Sequence, residues 1–482
     1  MDVRPEEIQQ IVRKVLNDLN IRSGSSTSGR SAPTPNSSSM LDEFWGGREG
    51  LFLTVDECVV AARRAQKELM ALSLETRKRV IERMRMRFAE AIPRFAEHAV
   101  RETGLGRAED KVLKNLLAVN KTPGVEDLEP HVFSGDDGLT LLERGPWGVI
   151  SSVTPTTNPT ETIVCNGIGM VAGGNGVVFN PHPRAKRVCQ AAISILNQAI
   201  QEAGGPRHLL TAVYEPTLKS TDEAMNHPDV NMVIVTGGGE VVKAAFRTGK
   251  KAITAGPGNP PVVVDESADL AQAARDIVSG ASLDNNVLCI AEKEIIVVES
   301  VANEFVEHLK ASGGYQIVGS VRDRLEKLIF PEPNHLNRDL IGQNVQFILK
   351  KVGLDISDHY RIAFVEVGPD HPFIHTEMLM PVLGLVRVPN VRAAIDLAKR
   401  AEKGLGHTAV MHSKNLDNLH TMAREMDTAI FVKNGPSYAG LGQGGEGFTS
   451  FSIAHPTGEG LTRARHFTKE VRCVLKGYFR IV

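Results

Sequence analysis

Cysteine is scarce and scattered. Cys58, Cys165, Cys189, Cys289 and Cys473 contain no CxxC pair, share no zinc-type spacing with histidine and sum to an odd number. Neither a disulfide framework nor a structural metal site is implied, and a reducing, cytosolic setting fits. Long apolar runs are missing as well: nothing approaches the ~18 residues of a membrane span, and the N-terminus lacks the basic stretch and apolar core of a secretion signal. No charge of one sign dominates, since 55 Lys and Arg stand against 57 Asp and Glu for a net charge of -2. That removes the basic field expected of nucleic-acid or anionic-membrane binding. A soluble protein that stays inside the cell, with small molecules or proteins as partners, is expected. At 482 residues the chain is long enough for two or three domains.

A dinucleotide fingerprint is also lacking. Gly440-Leu-Gly-Gln-Gly-Gly445 has the GxGxxG spacing, but Asn434-Gly-Pro-Ser precedes it and Glu446-Gly-Phe-Thr-Ser follows, where a strand and a helix are required. The run reads instead as a mobile loop at the mouth of a site.

What is present begins with an amphipathic segment. Ile8, Ile11, Val12, Val15, Leu16 and Leu19 place one apolar stripe on a helix over 1–20, with Pro5, Glu6 and Glu7 suited to its first turn. Residues 22–40 are almost all Ser, Gly, Thr and Pro, a composition that cannot bury enough apolar surface to fold, so 21–40 is a flexible linker. The helix either folds back onto its own chain or fills a groove on a partner. Its mixed acid and base argue against a membrane. The arrangement resembles the encapsulation peptides that load enzymes into bacterial microcompartments.

From residue 54 long helical patterns (54–71 and 73–100) give way to alternating short apolar runs and helices. Strands are predicted at 148–153, 176–180, 232–236 and 261–265, with helices at 160–172 and 184–203. A second series comprises strands at 294–299, 361–367, 383–388 and 408–411 with helices at 301–312 and 391–402. Such repetition implies an α/β fold with mostly parallel sheets, whose ligands bind at the carboxyl ends of strands. The stretch 131–147 has a hairpin turn at Asp136-Asp-Gly138, and 470–482 has strand character without an obvious partner.

Cys289 stands in Asp284-Asn-Asn-Val-Leu-Cys-Ile-Ala-Glu-Lys293, directly before the strand run that starts at Glu294. A lone cysteine is usually a small buried hydrophobe. Around this one, however, lie in order Val153-Thr-Pro-Thr-Thr-Asn158-Pro, Val235-Thr-Gly-Gly-Gly-Glu240, Ala255-Gly-Pro-Gly-Asn259-Pro-Pro and Glu377-Met-Leu-Met-Pro381-Val. Together they resemble the landmarks of the aldehyde dehydrogenase superfamily over residues 41–482. Within it the chain looks most like the coenzyme A-acylating propionaldehyde and acetaldehyde dehydrogenases of bacterial microcompartments.

The resemblance implies two Rossmann-like α/β domains, one binding NAD (41–125 and 148–256) and one catalytic (257–455), plus a small β oligomerisation element (126–147 and 460–482) that makes a homodimer or homotetramer. It implies Cys289 as nucleophile and Asn158 as oxyanion donor, with Thr154, Pro155, Asn180, Pro181, His182, Thr236, Gly237, Gly238 and Glu377 around the dinucleotide. His407, in a histidine-bearing stretch of the acylating group, is a further candidate for ionising a thiol or contacting coenzyme A. Hydrolytic relatives carry a water-activating glutamate where this chain has Thr254-Ala-Gly-Pro-Gly258, so the second step is expected to be thiolysis by coenzyme A, with no metal. Many of those relatives also carry a lysine where this chain has Asn180, which offers no charge to a 2′-phosphate and favours NAD over NADP. The expected setting is the cytoplasm, within a microcompartment, with a shell protein receiving residues 1–20. Two rivals keep parts of the pattern: an acyl-phosphate reductase on the same fold, and a non-catalytic interaction protein whose business is the tethered helix.

Overall fold

The computed structural model describes residues 48–333 and 335–481. The front helix and linker expected over 1–40 lie outside the described residues. After β1 (Leu51–Phe52) come three helices, α1 (Val55–Met70), α2 (Leu74–Thr103) and α3 (Ala108–Lys121). Thr54 starts α1 with a capping box, its hydroxyl accepting from the N–H of Glu57 while the Glu57 carboxylate accepts from the N–H of Thr54. Val55, Cys58, Val59, Ala62, Ala65 and Leu69 then form the buried stripe of α1. Ser73 caps α2, which ends at Gly104 with φ 71°, a left-handed stop that glycine adopts without a Cβ clash.

A hairpin of β2 (His131–Gly135) and β3 (Gly138–Pro146) precedes the first βαβ series. That series runs β4 (Val149–Thr154), α4 (Pro159–Ala172), β5 (Gly176–Pro181), α5 (Lys186–Glu202), β6 (Leu210–Val213), α6 (Leu218–Asn226), β7 (Met232–Thr236), α7 (Gly239–Arg247) and β8 (Lys251–Ala255). The sheet is parallel throughout in the order β1-β6-β5-β4-β7-β8. Every residue of β4, β5 and β6 is buried, as expected of strands covered on both faces by helices. From β4 the chain steps to β5 and β6 on one side and returns at β7 on the other, which opens a crevice beyond the carboxyl ends of β4 and β7.

Between Ala255 and Pro261 the chain passes into a second parallel sheet, ordered β11-β12-β13-β10-β9-β14-β15. Its strands are β9 (Pro261–Val264), β10 (Glu294–Val298), β11 (Gly314–Ile317), β12 (Ile362–Glu366), β13 (Val382–Val388), β14 (Thr408–His412) and β15 (Ile430–Lys433). Helix α8 (Leu270–Ser282) links β9 to the segment that carries Cys289, and α9 (Glu299–Ala311) follows β10. Two parallel α/β sheets with covering helices were the expected architecture. Among the longer strands, β6, β8, β11 and β15 had no prediction.

After a two-residue hairpin, β16 (Ile453–Ala454) and β17 (Gly460–Leu461), the C-terminal strand β18 (Thr468–Lys476) finds the partner its sequence did not reveal. It pairs antiparallel with β3 from Thr468↔Pro146 to Lys476↔Gly138, making the three-stranded sheet β18-β3-β2. Val132, Phe133, Val471 and Val474 stand exposed on it. The 440–445 loop is tied down rather than free, since Lys121 Nζ donates to the carbonyls of Gly442 (2.6 Å) and Gly445 (2.8 Å). No helix among the described residues is long and apolar enough to cross a membrane.

Close packing of α1 on the first sheet requires glycine at the head of β5. A Cβ on Gly176 would sit 2.5 Å from the carbonyl oxygen of Ala62. Backbone on both sides leaves little room to give, so Gly176→Ala is expected to cost about 1–3 kcal/mol, seen as an earlier denaturant midpoint. An unchanged midpoint would contradict this packing.

Candidate active site

Cys289 lies in a turn between α8 and β10 and is partly exposed, whereas Cys58, Cys165 and Cys189 are buried in the core. The turn is built in an unusual way. Asp284, Asn285 and Asn286 all have left-handed backbones, with φ of 50°, 53° and 66°. For residues with a side chain this conformation costs roughly 1–2 kcal/mol each, least for Asn and Asp. It persists because each side chain is held. The Asp284 carboxylate accepts from Lys111 Nζ (2.9 Å), Lys114 Nζ (2.6 Å) and the N–H of Arg107 (2.7 Å). Asn285 Nδ2 donates to the Gly342 carbonyl and Asn344 Oδ1, both at 2.9 Å. Asn286 Nδ2 donates to the carbonyls of Ala281 (2.8 Å) and Glu292 (2.9 Å). Gly106 lets the Asp284 carboxylate in, because a Cβ there would lie 1.9 Å from Asp284 Oδ1.

Lys293 grips the same turn from the strand side. Its buried ammonium donates to the Asn286 carbonyl (2.9 Å), Asn286 Oδ1 (2.6 Å) and the Leu288 carbonyl (2.9 Å). Burial drags its pKa down to about 8, against the pull of Glu377 and Cys289, which favour the charge. The Cys289 thiol is pushed up to about 12, first by burial and then by the Glu377 carboxylate, with Lys293 opposing. Burial raises Glu377 in turn, against Lys293 and the N–H of Gly258, which donates to Glu377 Oε1 at 3.4 Å. Thiol, ammonium and carboxylate thus form one electrostatic group. At neutral pH the resting thiol is protonated.

Asn158 sits at the N-terminus of α4, just past β4, and is buried. Its Oδ1 accepts from Lys114 Nζ at 2.7 Å, and its Nδ2 donates to Thr157 Oγ1 at 3.2 Å. His407 is buried, with Nδ1 2.9 Å from Thr408 Oγ1. Burial, then Lys293 and His455, push its pKa down to about 3, so its imidazole is neutral across the physiological range. Gly258 separates the His407 ring from the Cys289 carbonyl, a Cβ there falling 2.7 Å from one and 2.8 Å from the other.

The remaining candidates share the rim of the first sheet. Thr154 is paired with Pro181 at the ends of β4 and β5, and Pro155, Asn180 and His182 lie beside them. Thr236 ends β7, its hydroxyl 2.6 Å from Ser452 Oγ. Gly237 and Gly238 open α7, whose first N–H groups have no side-chain cap, and a Cβ on either glycine would meet nothing within 4 Å. This uncapped helix start in open space, facing the β4/β7 crevice, fits the pyrophosphate of a dinucleotide without a glycine fingerprint. Asn180 Nδ2 is committed to Ser151 Oγ (2.9 Å) and the Val178 carbonyl (3.2 Å), which leaves Oδ1, an acceptor. An acceptor suits a ribose hydroxyl and repels a phosphate.

Sequence reasoning passed over Lys111, Lys114, Glu161, Asp284 and Lys293. One signal was there: Lys111, Lys114, Asn115 and Ala118 follow i, i+3, i+4, i+7 spacing and so share one face of α3 with a core residue. Asp284-Asn-Asn was a second signal, being the residue types that tolerate a left-handed backbone.

Residues 50–327 match the model of the aldehyde dehydrogenase family. The acetylating acetaldehyde dehydrogenase of Salmonella typhimurium is 47% identical over 439 residues, 90% of this chain and 94% of that protein. The propionaldehyde dehydrogenase of Rhodopseudomonas palustris, solved with coenzyme A bound and its cysteine acylated, is 47% identical with a TM-score of 0.88, covering 89% of this chain and 98% of that one. A propionaldehyde dehydrogenase from the fucose utilisation microcompartment of Clostridium phytofermentans is 44% identical with a TM-score of 0.88, covering 90% and 100%.

The raised thiol pKa has a direct consequence. Alkylation of Cys289 by iodoacetamide in the free protein should speed up roughly tenfold per pH unit from pH 7 to 9 with no plateau. Because Cys473 is exposed, the rate is read by mass spectrometry on the peptide bearing Cys289. A plateau below pH 8 would contradict the electrostatics described for the site.

Proposed function

The chain belongs to the aldehyde dehydrogenase family, and on that premise we propose that it oxidises a short-chain aldehyde, propionaldehyde or acetaldehyde, with NAD and coenzyme A to the acyl-CoA and NADH. The observation that carries this reading is Cys289, partly exposed on a rigidly held turn, with no carboxylate in the 254–258 segment where a hydrolytic enzyme keeps its base.

In the proposed reaction the Cys289 thiol gives its proton to water and its sulfur adds to the aldehyde carbon. The negative charge that collects on the former carbonyl oxygen is met by Asn158 Nδ2–H and the backbone N–H of Cys289, each such donor contributing ~3–4 kcal/mol. When the C–O double bond re-forms the former aldehyde hydrogen leaves as hydride, for which NAD, when bound, would be the acceptor, and a thioester is left on Cys289. Glu377 would hold the nicotinamide ribose, and the N-terminus of α7 with Thr236, Gly237 and Gly238 would hold the pyrophosphate. Thr154 and Pro155 line the crevice, while Asn180, Pro181 and His182 receive the adenosine ribose and favour NAD over NADP. The coenzyme A thiolate then attacks the thioester carbon, a carbon–sulfur bond forms and the bond to Cys289 breaks. Thiolysis wins over hydrolysis because a thiolate needs no positioned base. His407, neutral beside Gly258, serves by contact with the incoming thiol rather than by carrying a charge.

The proposal extends to assembly and place. The exposed apolar residues of the β18-β3-β2 sheet suit pairing with a second copy, as a homodimer or homotetramer. Residues 1–20 act as an address read by a shell protein of a cytoplasmic microcompartment, a reading supported by the helix pattern and by the microcompartment origin of a relative 44% identical.

Propionaldehyde and NAD should yield sustained NADH only with coenzyme A present, and Cys289→Ala should lower turnover by at least about a thousandfold. Equal turnover on water alone would overturn the choice of acceptor, and normal turnover by Cys289→Ala would overturn the mechanism. A reporter fused to residues 1–20 should concentrate in compartments in cells that make them; diffuse signal would remove the targeting role.

A further inference from the structure

Lys114 is fully buried on α3, and its ammonium serves three side chains there: Asn158 Oδ1 at 2.7 Å, Asp284 Oδ2 at 2.6 Å and Glu161 Oε1 at 3.4 Å. It thereby touches the side chain proposed to stabilise the oxyanion and the acid that begins the Cys289 turn. An ammonium has donors only, so whichever amide atom faces it must be the oxygen. The Asn158 amide is therefore locked in one of its two flips, with Nδ2 turned away from Lys114. One Nδ2 hydrogen goes to Thr157 Oγ1, and the other has no acceptor among the described residues. The peptide before Asn158 is fixed as well, because the Thr157 carbonyl accepts from both Lys111 (3.4 Å) and Lys114 (3.5 Å).

The charge is stable at this depth. Burial opposes it, but Asp284 and then Glu161 outweigh burial and hold Lys114 above the usual lysine range, whereas Lys111 is pulled below it. Lys114 is also close enough to Cys289 for its charge to favour the thiolate.

We infer that Lys114 is a positioning residue of the acyl transfer: by holding Asn158 Oδ1 and Asp284 together, it aims the free Nδ2–H of Asn158 at the carbonyl oxygen of the substrate attacked by Cys289. Charge balance alone would need only Asp284 and Glu161; the 2.7 Å bond to Asn158 Oδ1 is the contact that gives Lys114 a part in aiming the amide. The inference rests on the proposed role of Cys289 and Asn158, and its test separates the two.

The experiment is a double-mutant cycle in full-length protein, using Lys114→Met with Glu161→Gln so that one cation and one anion leave together. Expected is a fall of about a hundredfold in kcat for coenzyme A-dependent NADH formation, the size of losing one oxyanion donor, with KM for aldehyde and NAD within about threefold. In an Asn158→Ala background the same pair of changes should add less than about threefold, because the amide it aims is gone. Losses that multiply, or an undiminished kcat, would overturn the positioning role while leaving wild-type turnover and Cys289 labelling intact. Wild-type protein without coenzyme A-dependent turnover would instead overturn the proposed reaction. Should the paired variant fail to fold, a neutron structure of the wild type decides: the Asn158 oxygen must face Lys114, and deuterons of Nδ2 in that place would overturn the inference.

Discussion

The carboxylate of Asp284 is the constraint on which the rest of the site depends. It lies where α3 meets the segment between α8 and β10, fully buried, and is held by two buried lysine ammonium groups and one backbone N–H. Removing one partner from such a cluster costs about 3–5 kcal/mol, because a charge is stranded without solvent. That same cost lets the cluster enforce three consecutive left-handed residues, which the local sequence would not adopt alone. The turn then delivers Cys289 to the junction of the two sheets. For the nucleophile proposed, a rigid turn rather than a flexible loop is what near-attack geometry demands.

Electrostatics at Cys289 work in two directions. Burial and Glu377 keep the thiol protonated at rest, while Lys293 and Lys114 favour the thiolate. A protonated resting thiol is a poor target for oxidants and stray electrophiles. The two cations sit on opposite flanks of the turn, Lys293 on the strand side and Lys114 on the helix side, so the field that favours ionisation is built from the same groups that fix the backbone. Position and reactivity at Cys289 therefore cannot be varied independently.

Much of the fold was legible because parallel strands buried on both faces read as short unbroken apolar runs, as in β5, β7 and β9. The capping residues Thr54 and Ser73 likewise mark where the first long helices begin. The partner of β18 was not legible, since β3 lies more than 320 residues earlier in the chain and pairing leaves no trace in either strand. At the site, Cys289, Asn158 and Glu377 stood out through ordered motifs. Lys111, Lys114 and Lys293 did not, because lysine on a helix or ahead of a strand is ordinarily solvated, and only the packing shows these three to be buried. The 440–445 run, read as a mobile loop because no strand precedes it and no helix follows, accepts two hydrogen bonds from Lys121 that its sequence did not reveal.

The acyl-enzyme is read most directly by intact-protein mass spectrometry after incubation with propionaldehyde and NAD in the absence of coenzyme A. One acyl group is expected to accumulate on Cys289, to persist in water because no base is positioned to activate it, and to vanish within the mixing time when coenzyme A is added. An unmodified protein that nevertheless produces NADH, or an adduct that water discharges as quickly as coenzyme A does, would contradict the proposed reaction.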